Sequence, residues 1–199
     1  MSWYSIALFA HIVGVLVLFI TLAAQWFITL RLRTAGSINQ VREWIGLAKP
    51  LGKLAPISGV LILGAGIYMT TVLWTILTTW IDVTLAAMVL MMLISMGMVS
   101  RKFAAIVREV NQVYAEVPPD DLPTTLRVRL DDPALWISSQ MVLAVALSIV
   151  FMMTVKPNLA VSIISVVVAL ALGALAGALT AHPHRESRLA PLVKEASVG

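Results

Sequence analysis

Charged residues divide this sequence into long uninterrupted apolar tracts. Asp, Glu, Lys and Arg are absent from Met1–Leu30, Leu54–Ile81, Val83–Ser100, Pro133–Val155 and Pro157–His184. A helix needs roughly 20 mostly apolar residues to cross a hydrocarbon core of about 30 Å. All the tracts reach that length except Val83–Ser100, which does so once Arg101 and Lys102 snorkel to the interface. A strand barrel would instead show segments of about ten residues with alternating polarity. The sequence therefore predicts an all-α, polytopic five-helix transmembrane bundle, with spans over about 3–30, 56–79, 83–107, 134–155 and 159–181 and a polar tail over 182–199.

Composition narrows the classes further. Residues are 60% hydrophobic and 12% charged, against about 25% charged in ordinary soluble domains. Disorder has the opposite bias. With no cysteine, there is no disulfide framework, thiolate metal site or thiol nucleophile.

The basic residues give an orientation. Of the 14 Lys and Arg, 13 fall in the first and third loops and the tail of a five-span chain, and Lys156 alone lies on the other side. Basic loops stay cytoplasmic, so the N-terminus is expected outside and the C-terminus inside. The first helix lacks a basic n-region and is too long for a signal-peptide core, so it is expected to stay as a span. The net charge of +4 follows from this distribution. Anionic lipid headgroups are the natural counter-charge, and nucleic acid is not implied.

The loops carry their own signals. Ile38, Val41, Ile45 and Ala48 recur at helical spacing beside Trp44, which predicts a short interfacial helix ended by Lys49-Pro50. Pro56 fits the first turn of the second span. Trp80-Ile81-Asp82 is expected as an exterior turn, and Lys156-Pro157-Asn158 as a tight exterior hairpin. The third span is expected to continue as Arg101–Glu116 and to stop before Pro118. Asp132 is positioned to cap a fourth span whose first residue is Pro133. No internal repeat is visible.

Within the spans, His11, Gly14, Leu18, Thr21 and Gln25 share one face of the first helix. His11 is the one ionisable side chain well inside a span, and such residues are functional-site candidates by default. A neutral imidazole there ligates haem or a metal, relays a proton, or simply hydrogen-bonds a neighbouring helix. Gly64, Tyr68, Thr71, Thr75 and Thr78 share a face of the second helix. If the two stripes meet, Thr21, Gln25, Tyr68, Thr71 and Thr75 would line a small polar cleft. The alternative is that these hydroxyls bond to their own or adjacent helices.

On the last helix, Ser165, Ala169, Gly173, Gly177 and Ala181 recur every four residues. Such a row lets backbones approach closely, either within the chain or between copies in a homo-oligomer. Met88, Met91, Met92, Met96 and Met98 crowd the third helix. Thioethers suit Cu(I), but Met also fills irregular apolar gaps. His182-Pro183-His184 supplies too few ligands for a structural or catalytic metal site by itself. Asp120, Asp121, Asp131 and Asp132 could gather a divalent cation, but loop solvation and helix capping explain them more simply. No Walker loop, dinucleotide fingerprint, HExxH or nucleophile elbow occurs.

The opening LFAHIVGVLVLF, and FMMTVKPNL before a glycine-rich last helix, resemble small bacterial integral-membrane proteins of a family without assigned function. The His11-x-x-Gly14 piece is also similar to membrane proteins of the copper-resistance D type and the HemJ type. That second resemblance implies haem or copper at His11, yet no second mid-membrane histidine completes a bis-histidyl site.

Three kinds of function are compatible with these residues. One is a non-enzymatic bundle acting as an oligomer or as an accessory subunit of a membrane complex. The others are a redox protein holding haem or copper through His11, and a small transporter or channel along the polar stripes. The first needs no ligand that the sequence does not supply.

Overall fold

The structure is a computed structural model that describes residues 2–73, 78–114, 118 and 120–181. The described residues are helical almost throughout: α1 Trp3–Thr34, α2 Ile38–Gly52, α3 Leu54–Leu73, α4 Thr79–Ile94, a π-helical stretch Ser95–Ser100, α5 Arg101–Val113, α6 Thr124–Leu130, α7 Pro133–Val155 and α8 Leu159–Ala181. Five helices are long and apolar enough to span a membrane: Trp3–Thr34, Ile38–Val72, Thr79–Val113, Thr124–Val155 and Leu159–Ala181. This is a multi-pass, all-helical membrane protein. The chain falls into two compact units, Met1–Asp82 with Val110–Pro123 and Val83–Glu109 with Thr124–Gly199.

In the first unit, Ser2 caps α1 by accepting the Ser5 N–H, and Ser37 caps α2 by accepting that of Gln40. These bonds use donors that a helix start otherwise leaves open. α2 buries Ile38, Val41 and Ile45 on one side. It runs through Pro50 to Gly52 instead of ending at Lys49. Pro50 sits in the last turn, and the backbone stays right-handed helical through Lys53 (φ −77°, ψ −20°), so the proline costs one hydrogen bond without turning the chain. Pro56 lies in the first turn of α3. The Asp121 carbonyl accepts the Ile38 N–H at 3.0 Å.

Trp80, Ile81 and Asp82 form the first turn of α4 and not a loop. The Ile81 and Asp82 N–H groups donate to the Thr78 carbonyl, at 2.9 and 3.3 Å. The connection before Thr78, over 74–77, lies outside the described residues, as does the predicted polar tail over 182–199.

In the second unit the third span runs from α4 through the π-helical stretch into α5, which ends at Val113. The π-helical stretch packs on α7. Thr84 Oγ1 lies 3.8 Å from Met152 Sδ and joins α4 to α7. Asp132 caps α7 as its sequence context predicts, accepting the Ala134 N–H at 2.9 Å with Pro133 at the start of the helix. Its second oxygen pairs with Lys102, and Arg129 pairs with Glu109. α7 and α8 form an antiparallel hairpin. Its turn depends on Lys156, the only non-glycine residue with positive φ among those described (φ 53°, ψ 54°), whose N–H donates to the Met152 carbonyl. Asn158 then accepts the Val161 N–H and starts α8.

Candidate functional site

In the first unit, His11 makes a side-chain hydrogen bond between α1 and α3. α1 and α3 pack along a face where the His11 Nδ1 lies 2.9 Å from the Ile62 carbonyl oxygen. A carbonyl only accepts, so Nδ1 carries the hydrogen. In the neutral ring, the lone pair is then on Nε2. One turn along α1, Gly14 meets the same part of α3. A Cβ added there would lie 2.9 Å from Leu61 Cβ, 3.0 Å from Ile62 Cγ1 and 3.1 Å from the Ile62 nitrogen. Across from the ring stands Gly66, where a Cβ would lie 3.4 Å from His11 Nδ1 and Cε1. The imidazole is thus enclosed by close helix–helix contact, with a relative exposure of 9%.

For haem the contact supplies one nitrogen donor, His11 Nε2. For copper, the contact supplies one imidazole. Among the described residues no cluster of three or more His, Cys, Asp or Glu could hold a metal ion.

The rest of the helix-one stripe is used locally. Thr21 is buried and donates to the Val17 carbonyl at 2.8 Å, while Gln25 is half-buried and its carbonyl accepts from Thr29. The helix-two stripe points elsewhere. Tyr68 and Thr71 are exposed, and Thr71 donates to the Tyr68 carbonyl at 2.8 Å; Thr75 lies outside the described residues. The face of α3 that meets α1 is instead built on Ile62 and Gly66, with buried Ser58 one turn before them. α3 is apolar nearly all round, so hydropathy spacing gave little reason to choose Ile62 over Gly64. The spacing of Gly66 four residues after Ile62 was the available signal.

The small-residue row on α8 packs within the chain. Ala169, Gly173 and Gly177 are buried. A Cβ on Gly173 would lie 2.7 Å from Met141 Cα, and one on Gly177 would strike Ile137 Cα of α7. Ser165 and Ala181, at the two ends of the row, are half-buried, and Ser165 donates to the Ser162 carbonyl.

Sequence reasoning passed over one residue of this hairpin. Ser138, Ser139 and Thr154 of α7, and Ser162, Ser165 and Thr180 of α8, all bond a carbonyl of their own helix or its preceding turn. Ser148 does not: it is 7% exposed and its Oγ has no hydrogen-bond partner. A lone serine among apolar residues gives no periodic signal, which is why it escaped notice.

At the other end of α1, aromatic and basic side chains gather. The Arg31 guanidinium lies 5.0 Å from the Phe27 ring centre and 5.9 Å from that of Trp44, with the two rings edge to face at 5.8 Å. Arg42 lies 4.2 Å from the Tyr114 ring. Such pairs belong to a membrane–water interface, where one end of the side chain is apolar and the other wet.

Comparison of the chain with protein-family models, curated proteins and solved structures found no match.

Proposed function

We propose that this chain is a non-enzymatic helical bundle of the bacterial cytoplasmic membrane, N-terminus outside and C-terminus inside, working as an oligomer or as an accessory subunit of a larger membrane complex. The observation that carries this reading is the use made of the polar groups in the first unit. His11 joins α1 to α3, and Thr21, Thr29, Thr70 and Thr71 each donate to a carbonyl of their own helix. These bonds support a packing role for the polar groups they engage. The Arg31–Phe27–Trp44 cluster supports an interfacial position for α2, with anionic headgroups as the partner of its basic side chains.

The test is the size and colour of the protein released from membranes in a mild detergent. The proposal expects a colourless particle larger than one chain, as an oligomer or with a stoichiometric companion, that keeps its size in His11→Ala. A Soret band or stoichiometric copper that disappears in His11→Ala would overturn it. So would ion or solute flux in proteoliposomes abolished by Gln25→Leu. A reporter active only in the periplasm, fused to the C-terminus, should be silent.

A further inference from the structure

Arg31 lies in the last turn of α1 and is exposed. Among the described residues its guanidinium makes no ion pair and no side-chain hydrogen bond, whereas Lys102 and Arg129 of the second unit pair with Asp132 and Glu109. Two rings hold it instead. Its centre lies 5.0 Å from that of Phe27 and 5.9 Å from that of Trp44, and the rings stand edge to face. Ring contact of this kind uses the face of the guanidinium. The N–H groups lie in its plane and stay free, and their fork matches two oxygens of a phosphate. The first unit thus holds a cation in place without giving it an acceptor.

Depth selects the acceptor. Trp3 and Tyr4 open α1, and Trp26 and Phe27 lie towards its other end. Trp and Tyr gather at both membrane–water interfaces. From Trp3 to Trp26 a helix rises roughly 35 Å, which brackets a hydrocarbon core of about 30 Å. Arg31 follows Phe27 by one turn and its side chain lies over that ring, so the guanidinium sits in the layer of the phospholipid phosphates. On the membrane side, Phe27 (45% exposed) and Leu47 (55%), which is closer to the second span than Trp44, offer apolar surface to acyl chains. Charge then separates the headgroups. A zwitterionic headgroup brings its own cation, which competes with Arg31 for the phosphate. An anionic one does not, and the unpaired Lys49 and Lys53 of the same unit add to its attraction.

We infer that Arg31, held by Phe27 and Trp44, binds the phosphate of one anionic phospholipid, with its acyl chains against Phe27 and Leu47. The phosphate supplies the acceptor that the guanidinium lacks, and the rings fix the fork before the lipid arrives. The site belongs to the first unit alone. It rests on the interfacial position proposed for α2, and stands whether the chain is an oligomer or an accessory subunit.

Full-length protein in a mild detergent, titrated with dioleoylphosphatidylglycerol or dioleoylphosphatidylcholine and read by native mass spectrometry, gives the affinity of each successive lipid. One phosphatidylglycerol per chain is expected to bind ahead of the rest and more tightly than phosphatidylcholine. Arg31→Gln should weaken that first binding about tenfold, the effect of losing a charge-assisted hydrogen bond. Arg31→Lys should weaken it nearly as much, because an ammonium keeps the charge but lacks the planar fork. Phe27→Leu should cost about threefold through the lost ring. Lys49→Gln removes the same charge from an exposed position of α2 and should change the binding by less than about twofold, since a charge outside the site acts only through a screened field. Helicity should be unchanged in every variant. Equal weakening by Arg31→Gln and Lys49→Gln would overturn the inference and leave the interfacial position of α2 standing, because general charge would then hold the lipid. Phosphatidylglycerol bound no more tightly than phosphatidylcholine, with neither variant having an effect, would overturn both.

Discussion

α7 and α8 are held together differently from α1 and α3. Neither pair gains a hydrophobic force from association, because lipid tails are as apolar as the helix surfaces, so packing and hydrogen bonds must supply the attraction. The α7–α8 pair relies on backbone approach at two glycines, Gly173 and Gly177, each facing α7 main-chain atoms. α1 and α3 approach at Gly14, mainly against side-chain atoms, and at Gly66 beside the His11 ring, and add the His11–Ile62 hydrogen bond. Connectivity explains the difference. A turn at Lys156 joins α7 directly to α8 and fixes their register. α1 and α3 are separated by the whole of α2, so nothing in the chain path sets which turn of α1 meets which turn of α3. A polar contact in an apolar interface specifies register in that situation.

The largest effect is expected where the backbone itself is the neighbour. Gly177→Val places a branched side chain against Ile137 Cα and the Trp136 carbonyl, neither of which can rotate away. Overpacking of this kind costs roughly 3 kcal/mol. Titration of the protein with SDS from a mild detergent, read by circular dichroism, should show that loss. A variant within about 0.5 kcal/mol of wild type, inside the range of neutral surface changes, would mean that α7 and α8 do not pack through this glycine.

Gly14→Ala should cost less, about 1–2 kcal/mol. Its nearest neighbours are Leu61 Cβ and Ile62 Cγ1, and side-chain atoms can move by a few tenths of an ångström. His11→Ala should follow at about 1 kcal/mol, within the range measured for interhelical hydrogen bonds in membranes. The double variant sharpens the comparison. If His11 and Gly14 serve one register contact, their costs should fail to add by at least about 0.5 kcal/mol. Strict additivity would make the histidine an independent tie and remove its role in setting register.

The contrast also explains what the sequence disclosed. Charge spacing was enough for five spans, because excluding charges from hydrocarbon is a composition rule that needs no partner. The Asp132 cap and the Lys156 turn were legible for the same reason: capping and turn chemistry act over three or four residues. The faces of the spans were not. On α3, with apolar residues all round, the choice of Ile62 and Gly66 over Gly64 and Tyr68 is made by the fit to His11 and Gly14 on α1. Trp80–Asp82 was read as a turn because an acidic residue follows a long apolar tract. Asp82 is equally suited to the first turn of a helix, where its charge meets the positive end of the helix dipole, and the structure uses it there.

The smallest effect concerns hydroxyls already committed to their own helices. Thr21→Val keeps the volume and branching of the side chain and removes the bond to the Val17 carbonyl. That carbonyl lies inside α1 and keeps its place in the helix ladder, so it is not orphaned. A membrane hydrogen bond averages about 0.6 kcal/mol, and this one joins no second helix, so the change should stay below that figure. Thr71→Val, at an exposed position with its own local bond, should do less still. These near-neutral variants test the comparison most sharply, because they separate polar groups that join helices from polar groups that merely sit on them. If Thr21→Val destabilised the protein as much as His11→Ala, the stripe on α1 would be a continuous polar seam and not a single tie at His11. The register argument would then apply to the whole face.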